Sequence, residues 1–155
     1  MPEISLIRQL RETKSETLPL FDLEERDLQR FYEQGKWSVR QILHHLADVE
    51  TVLFERIRRT ITEPTPRIEG FDQDAWAEKL HYQARPMELA RALYEASRDG
   101  NIFYARLHYQ RDGHLEFIHS DTGVRTLQQE FDKIAEHNLH HLHQIRRALG
   151  AGSPL

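Results

Sequence analysis

A helical pattern begins at Ser38-Val39-Arg40-Gln41-Ile42-Leu43-His44-His45-Leu46. The Ser38 hydroxyl can accept a hydrogen bond from the Gln41 amide while the Gln41 side chain reaches back, so this start is a capping box. Apolar residues then recur at helical spacing as far as about Ile61. The pattern stops at Thr62-Glu63-Pro64-Thr65-Pro66, because proline lacks an amide proton and pushes the preceding residue out of helical geometry. We predict one long helix from the capping box to about residue 61.

Three further segments have a helical period. They span roughly residues 4–18, 86–107 and 126–149, and Pro86 suits a first helical position. A shorter helical piece is predicted over roughly residues 23–32, before Gly35. Four helices joined by short or irregular connectors are typical of an all-α four-helix bundle. We expect the 155 residues to form one domain, residues 1–155.

The connector from Pro64 to Arg85 lies between the second and third main helices, and we expect it to be the crossover of the bundle. It is predicted to be irregular, with a turn of helix at about residues 74–80. The aromatic residues Phe71, Trp76 and Tyr82 within it need a surface to pack against. A short extended segment or hairpin is predicted around residues 115–119.

Composition excludes several classes of site and function. The chain has no cysteine, which removes disulfides, thiolate metal sites and a cysteine nucleophile. A formal net charge of −4 without a basic block disfavours nucleic-acid binding. We interpret Arg56, Arg58 and Arg59, which have glutamates around them, as a solvated helix face. No apolar run is long enough to span a membrane and no signal peptide opens the chain, so we expect a cytoplasmic protein that does not enter membranes.

Four histidines occur in eight residues of the last helix, within His137-Asn138-Leu139-His140-His141-Leu142-His143-Gln144. At about 100° per residue, His137 and His141 fall together on the border of the inward apolar stripe. On the same basis His140 and His143 point elsewhere, while Asn138 lies within the stripe. A pair one helical turn apart can grip a single metal ion.

The same rotation separates the neighbours His44 and His45 on the earlier helix. His45 lies on the border of the buried stripe and His44 lies farther round. The candidate metal ligands are therefore His45, His137 and His141. A lone histidine such as His45 is more often a core residue than a ligand, and a His-x-x-x-His pair also arises by chance in a histidine-rich run. The remaining histidines are expected to be structural or exposed, with His119 as the one to examine further.

Several spaced motifs carry a family resemblance, in the order Trp37 to Asp48, Ile61 to Pro66, Phe71 to Glu78, Phe117 to Gly123 and His137 to Gln144. Through them the sequence resembles the DinB-like superfamily, and most closely its YfiT-type members, which are described as metal-dependent hydrolases. The resemblance implies a four-helix bundle that often forms homodimers. It also implies an open site in which His45, His137 and His141 hold one divalent ion, zinc or nickel.

Three neutral imidazoles leave an open coordination position, which is typical of catalytic zinc. The leading hypothesis is hydrolysis of a small molecule by metal-bound water, whose pKa falls to about 7 in such sites. Asp48, one turn from His45, is the candidate acid or base, although it could instead orient His45 or face solvent. The alternative implied by the resemblance is an S-transferase that uses a low-molecular-weight thiol of the bacillithiol or mycothiol type. A second alternative is a metal-binding stress-response protein without turnover.

Overall fold

The computed structural model describes residues 4–150 and is mainly helical. Four long helices form the bundle, joined by connectors that contain two short helices. The helices are α1 (Ser5–Thr17), α2 (Glu25–Leu28), α3 (Val39–Thr62), α4 (Gln73–Lys79), α5 (Met87–His108) and α6 (Leu127–Ala148). A 3₁₀ turn, Leu18–Asp22, contains Pro19 and follows α1. The predicted four-helix bundle is confirmed.

The capping boxes fix where the two site-bearing helices begin. Ser38 Oγ accepts from the Gln41 amide at 3.2 Å, and Gln41 Oε1 accepts from the Ser38 amide at 2.9 Å. Thr126 and Gln129 make the same reciprocal pair at the start of α6. Each box satisfies backbone donors that a helix start otherwise leaves unpaired.

The second and third main helices run parallel, which requires the long crossover. Contacts between α3 and α5 run in the same chain direction on both helices. Glu50 pairs with Arg98, and the later residue Phe54 packs on the later residue Tyr104. The connector therefore returns along α3 to its beginning, where the Arg40 guanidinium donates to the carbonyls of Tyr82 and Arg85. Two of the connector aromatics pack on the bundle as expected, since Tyr82 is fully buried and Phe71 packs against an apolar core cluster. Trp76 contacts the Phe71 ring at a centroid distance of 4.5 Å.

A small sheet was only partly expected. The strands are β1 (Arg67–Ile68), β2 (Glu116–His119) and β3 (Gly123–Thr126), in the order β1-β2-β3. The pair β2–β3 is the hairpin that the sequence allowed, with Ile118 opposite Val124. The two-residue strand β1 pairs parallel to β2 and was not predicted, because two residues are too few to carry a period of two.

Three local expectations need correction. The helix predicted over residues 23–32 is the four-residue α2. Pro86 lies at the N-cap of α5 rather than at its first helical position. Arg56 does not belong to a solvated face, since it is only 5% exposed, whereas Arg58 is exposed as expected. No helix among residues 4–150 is long and apolar enough to span a membrane.

A buried polar layer joins the four long helices between two apolar core clusters. Arg98 of α5 is completely buried and forms a bidentate pair with Glu50 of α3, at 2.5 and 3.2 Å. The same guanidinium donates to the Leu10 carbonyl of α1 and to Asn138 Oδ1 of α6, at 2.8 and 2.7 Å. Five donors in a rigid fork suit this junction. The layer holds α3 and α6 in a fixed register. Its member on α6, Asn138, is the residue next to His137.

Candidate metal centre

Helices α3 and α6 bring together the side chains of the three candidate ligands, His45, His137 and His141. The Nε2 atom of His137 lies 3.0 Å from that of His45 and 3.1 Å from that of His141. Among the described residues, these three form the one group of histidine and acidic side chains whose donor atoms could share a metal ion. The ring nitrogens converge because His45 faces α6 across the bundle while the other two stand one turn apart.

The donor set fits a divalent ion. Around a tetrahedral zinc with bonds of about 2.0–2.1 Å, neighbouring nitrogens stand about 3.3 Å apart, close to the separations observed. Burial lowers the pKa of His45 to about 3, with a further contribution from His141. Burial likewise lowers the pKa of His137 to about 2 and of His141 to about 4. All three rings are neutral at physiological pH, which is the protonation state that binds metal.

Gln144 fixes the tautomer of His141, and sequence reasoning did not single it out. His141 Nδ1 lies 2.6 Å from Gln144 Oε1, and the Gln144 amide nitrogen donates to the Tyr32 hydroxyl at 3.1 Å. An amide oxygen only accepts, so His141 carries its proton on Nδ1 and keeps the Nε2 lone pair free. The spacing of three residues on one helix was the available signal.

Two cavities meet at the histidines. An outer cavity of about 540 Å³ opens at the surface and is lined by His137 and His141 together with Tyr32, Trp37, Gln73 and His140. An inner cavity of about 150 Å³ is lined by His45 and His137 together with Val49, Val52, Phe71, Arg56 and Lys133. His137 and Gln73 border both. The candidate metal position is therefore accessible and has space on two sides.

The Asp48 side chain forms hydrogen bonds with two residues of the connector. Its carboxylate accepts from the Tyr82 hydroxyl at 2.6 Å and from the Arg85 guanidinium at 2.8 Å. It is only 6% exposed, so the alternative in which it faces solvent is wrong. It does not orient His45 either, because within residues 4–150 His45 Nδ1 has no hydrogen-bond partner. A role for Asp48 as acid or base stays a prediction.

The other histidines lie outside the triad. His44 is fully buried, accepts from Arg85 Nε at 2.9 Å, and has its pKa lowered to about 3, chiefly by burial. His140 is exposed, yet it lines the outer cavity with its ring 5.1 Å from that of His141. His143 is exposed. His119 is buried in the hairpin, where its Nδ1 accepts from the Asp121 amide at 3.0 Å.

Comparisons with known proteins agree with this geometry. The profile of the DinB superfamily matches residues 9–145. A protein of Oceanobacillus iheyensis named "putative metal-dependent hydrolase" is 32% identical over 81% of this chain and 73% of its own length. A protein of Bacillus cereus with the same description is 30% identical over 83% of this chain and 74% of its own length.

One solved structure is similar over nearly the whole chain. It is YfiT from Bacillus subtilis, described as "a probable metal-dependent hydrolase with an unusual four-helix bundle topology". The two structures superpose with a TM-score of 0.84 at 26% sequence identity, covering 96% of this chain and 89% of that one. The parallel pairing of α3 and α5 is the feature of this chain that departs from a simple up-and-down bundle.

Proposed function

Because the chain belongs to the DinB superfamily, we propose that it is a metal-dependent hydrolase of a small molecule, with one divalent ion on His45, His137 and His141. The observation that supports this is the convergence of three neutral imidazole rings, with the Nε2 atoms of His45 and His141 within 3.1 Å of His137 Nε2, at the junction of two cavities. Zinc and nickel both suit imidazole ligands, and we propose one of these two. The homodimer and the cytoplasmic location stay predictions.

The ion would supply an acidified water or a polarised substrate oxygen at its open position. The protein's own contribution is orientation and access. Gln144 holds His141 in the tautomer that presents Nε2 to the site. Trp37 packs on the His45 ring at a centroid distance of 4.8 Å and shields one side of the triad. The outer cavity admits a small molecule, which is the substrate class we propose.

The alternative function, an S-transferase using a low-molecular-weight thiol, is favoured by one observation. Two cavities of about 540 and 150 Å³ meet at His137, so two reactants could approach the triad from different sides. A hydrolase requires one substrate and water. Because the chain has no cysteine, the thiol would have to arrive as a cosubstrate.

The ligand set is tested by metal stoichiometry. We expect chelator-treated wild type to take up one zinc or nickel ion per chain, and His45→Ala and His137→Ala to lose stoichiometric binding. His143→Ala is the matched control, since it removes an exposed imidazole from the same helix and should bind like wild type. Unchanged uptake by both triad variants would contradict the proposed site.

The reaction is tested with the metal-loaded protein. A hydrolase should cleave members of an ester and amide panel without added thiol. An S-transferase should consume chlorodinitrobenzene only when a small thiol is present. If the loaded protein is inert in both assays, the result favours the metal-binding role without turnover.

A further inference from the structure

The inner cavity contains two cations beyond the triad. On α3, His45, Val49, Val52 and Arg56 all line it, at spacings of four, three and four residues that keep them on one helical face. Arg56 follows His45 by about 16 Å along the helix axis, and its side chain leans back toward the helix N-terminus. On the facing helix, Lys133 lies one turn before His137. The cations therefore border the part of the cavity that lies away from the triad.

The wall between the triad and the cations is apolar. It is formed by Val49, Val52, Leu53 and Phe71. The cavity volume of about 150 Å³ is the space of about five water molecules at ~30 Å³ each. This shape fits a short molecule with a metal-binding atom at one end, an aliphatic middle and a second polar group at the other end.

The charges of this region are incompletely paired. Arg56 is 5% exposed, and among residues 4–150 its guanidinium donates one hydrogen bond, to the Glu69 carbonyl at 3.3 Å. Glu130 is 1% exposed and lies 3.8 Å from the Lys133 ammonium, but within the described chain its oxygens accept no hydrogen bond. Burial lowers the pKa of both Arg56 and Lys133. Within residues 4–150 the cavity lining therefore carries two cations, the buried Arg56 and the partly exposed Lys133, and no carboxylate. Glu130, Glu55 and Asp121 act on Arg56 from outside this lining.

We propose that the inner cavity is a carboxylate subsite, in which Arg56 and Lys133 bind the carboxylate of a small organic acid whose other end faces the three histidines. This inference rests on the proposed function, since it requires an ion on the triad. The planar fork of Arg56 matches a carboxylate, and the Lys133 ammonium adds a second charge-assisted hydrogen bond. Because two cations and no carboxylate of the described residues line this end of the cavity, it favours an acid over a neutral molecule of the same length.

A pair of thiols tests the subsite without measuring turnover. In the cobalt-substituted protein, 3-mercaptopropionate and 3-mercapto-1-propanol should each give a thiolate-to-cobalt absorption band, and each titration yields a Kd. We expect the acid to bind at least about tenfold more tightly than the alcohol in wild type, the effect of a hydrogen bond to a charged group. Lys133→Met, at a side chain that is 40% exposed and so tolerant of change, should reduce the preference to less than about threefold.

Arg58→Met is the matched control, since it removes one positive charge from an exposed position of α3 and should keep the full preference. Arg56→Lys keeps a cation in place and should retain part of it. Cobalt stoichiometry must equal that of wild type in every variant. Equal affinities for acid and alcohol in wild type, or a preference that survives Lys133→Met, would overturn the subsite while leaving the metal site standing. Stoichiometric cobalt uptake without a band for either thiol would overturn the subsite alone, whereas absence of cobalt uptake would overturn the metal site and the subsite together.

Discussion

Gln144 shows how one side chain outside the histidine triad can set the tautomer of a triad member. Its amide is held by the Tyr32 hydroxyl, and its oxygen accepts the Nδ1 proton of His141. Such partners typically change metal affinity by 10–100-fold when they are lost. We expect Gln144→Leu to weaken zinc or nickel binding by roughly that factor, as measured by competition with a chelator.

Gln144→Glu separates orientation from simple packing. A carboxylate at this position still accepts the Nδ1 proton, so affinity should return to within a few-fold of wild type. Tyr32→Phe removes only the outer hydrogen bond and should have the smaller effect. If Gln144→Leu binds metal as tightly as wild type, Gln144 does not position His141.

At the same scale, the clustering of His45, His137 and His141 could be predicted from sequence but the surroundings of the cluster could not. Rotation along a helix places a histidine on the border of an apolar stripe, and that sufficed for His45, His137 and His141. It cannot show which residue of another element lies across from it. Arg56 was wrongly assigned to a solvated face because glutamates surround it in the sequence. In the structure it lines a cavity with Phe71 and lies near charged groups of the hairpin, which are distant in sequence.

At the scale of elements, the start of α3 was predictable because its chemistry is local. Its capping box is a single four-residue pattern, and the box from Thr126 to Gln129 at the start of α6, which was not predicted, has the same form. The strand β1 and the path of the connector were not predictable from sequence, since both depend on partners far along the chain. Arg67 of β1, for example, pairs with Ile118, which lies fifty-one positions later. For the same reason the sequence could not decide between a single extended segment and a hairpin around residues 115–119, because a pattern of alternation does not identify the partner strand.

Asp48 ties the connector to α3, and its substitution distinguishes this role from catalysis. Burial and the Asp48 carboxylate raise the pKa of the Tyr82 phenol, so the phenol stays protonated and donates. In Asp48→Asn the Arg85 guanidinium loses a charged acceptor. We expect the free energy of unfolding in urea to fall by about 2 kcal/mol, with metal affinity unchanged.

Asp99→Asn is the control for charge, because its carboxylate is half exposed and pairs with Lys14, so its loss should cost about 0.5 kcal/mol or less. A catalytic Asp48 would behave differently. In that case turnover by the metal-loaded Asp48→Asn protein would fall by about 10²–10⁴-fold with the fold and the metal intact. Turnover that follows only the loss of stability would assign Asp48 to the tether.

On the scale of the whole molecule, the crossover and the polar layer act together to build the site. Parallel packing of α3 and α5 leaves the return path of the connector along α3, where Phe71 and Gln73 reach the inner cavity. The Glu50–Arg98 pair and Asn138 hold α6 against α3 in the register that brings His137 beside His45. The helix packing therefore determines the geometry of the site, because a shift of α6 by one residue would separate the Nε2 atoms of the three histidines.

The same burial makes stability of the metal-free protein depend on pH. His44, His45, His137 and His141 have pKa values lowered to about 3, 3, 2 and 4. In the unfolded chain their pKa returns to about 6.5, so below pH 6.5 the unfolded state binds more protons. The free energy of unfolding is therefore at its full value above pH 6.5 and falls as the pH drops toward 4.

At pH 5.5 each imidazole that is held neutral lowers the free energy of unfolding by about 1.4 kcal/mol. The four together lower it by about 5.6 kcal/mol, which is near the lower end of a domain's total stability. We expect circular dichroism of the metal-free protein to show an acid transition between about pH 4 and 5.5, and urea midpoints to decrease from pH 7 to 5.5. Loading with zinc or nickel should move the transition to lower pH, because the ion binds the folded triad. The control His143→Gln changes an exposed imidazole and should follow the wild-type curve. A free energy of unfolding that stays constant between pH 7 and 5 would show that burial does not hold these four rings neutral.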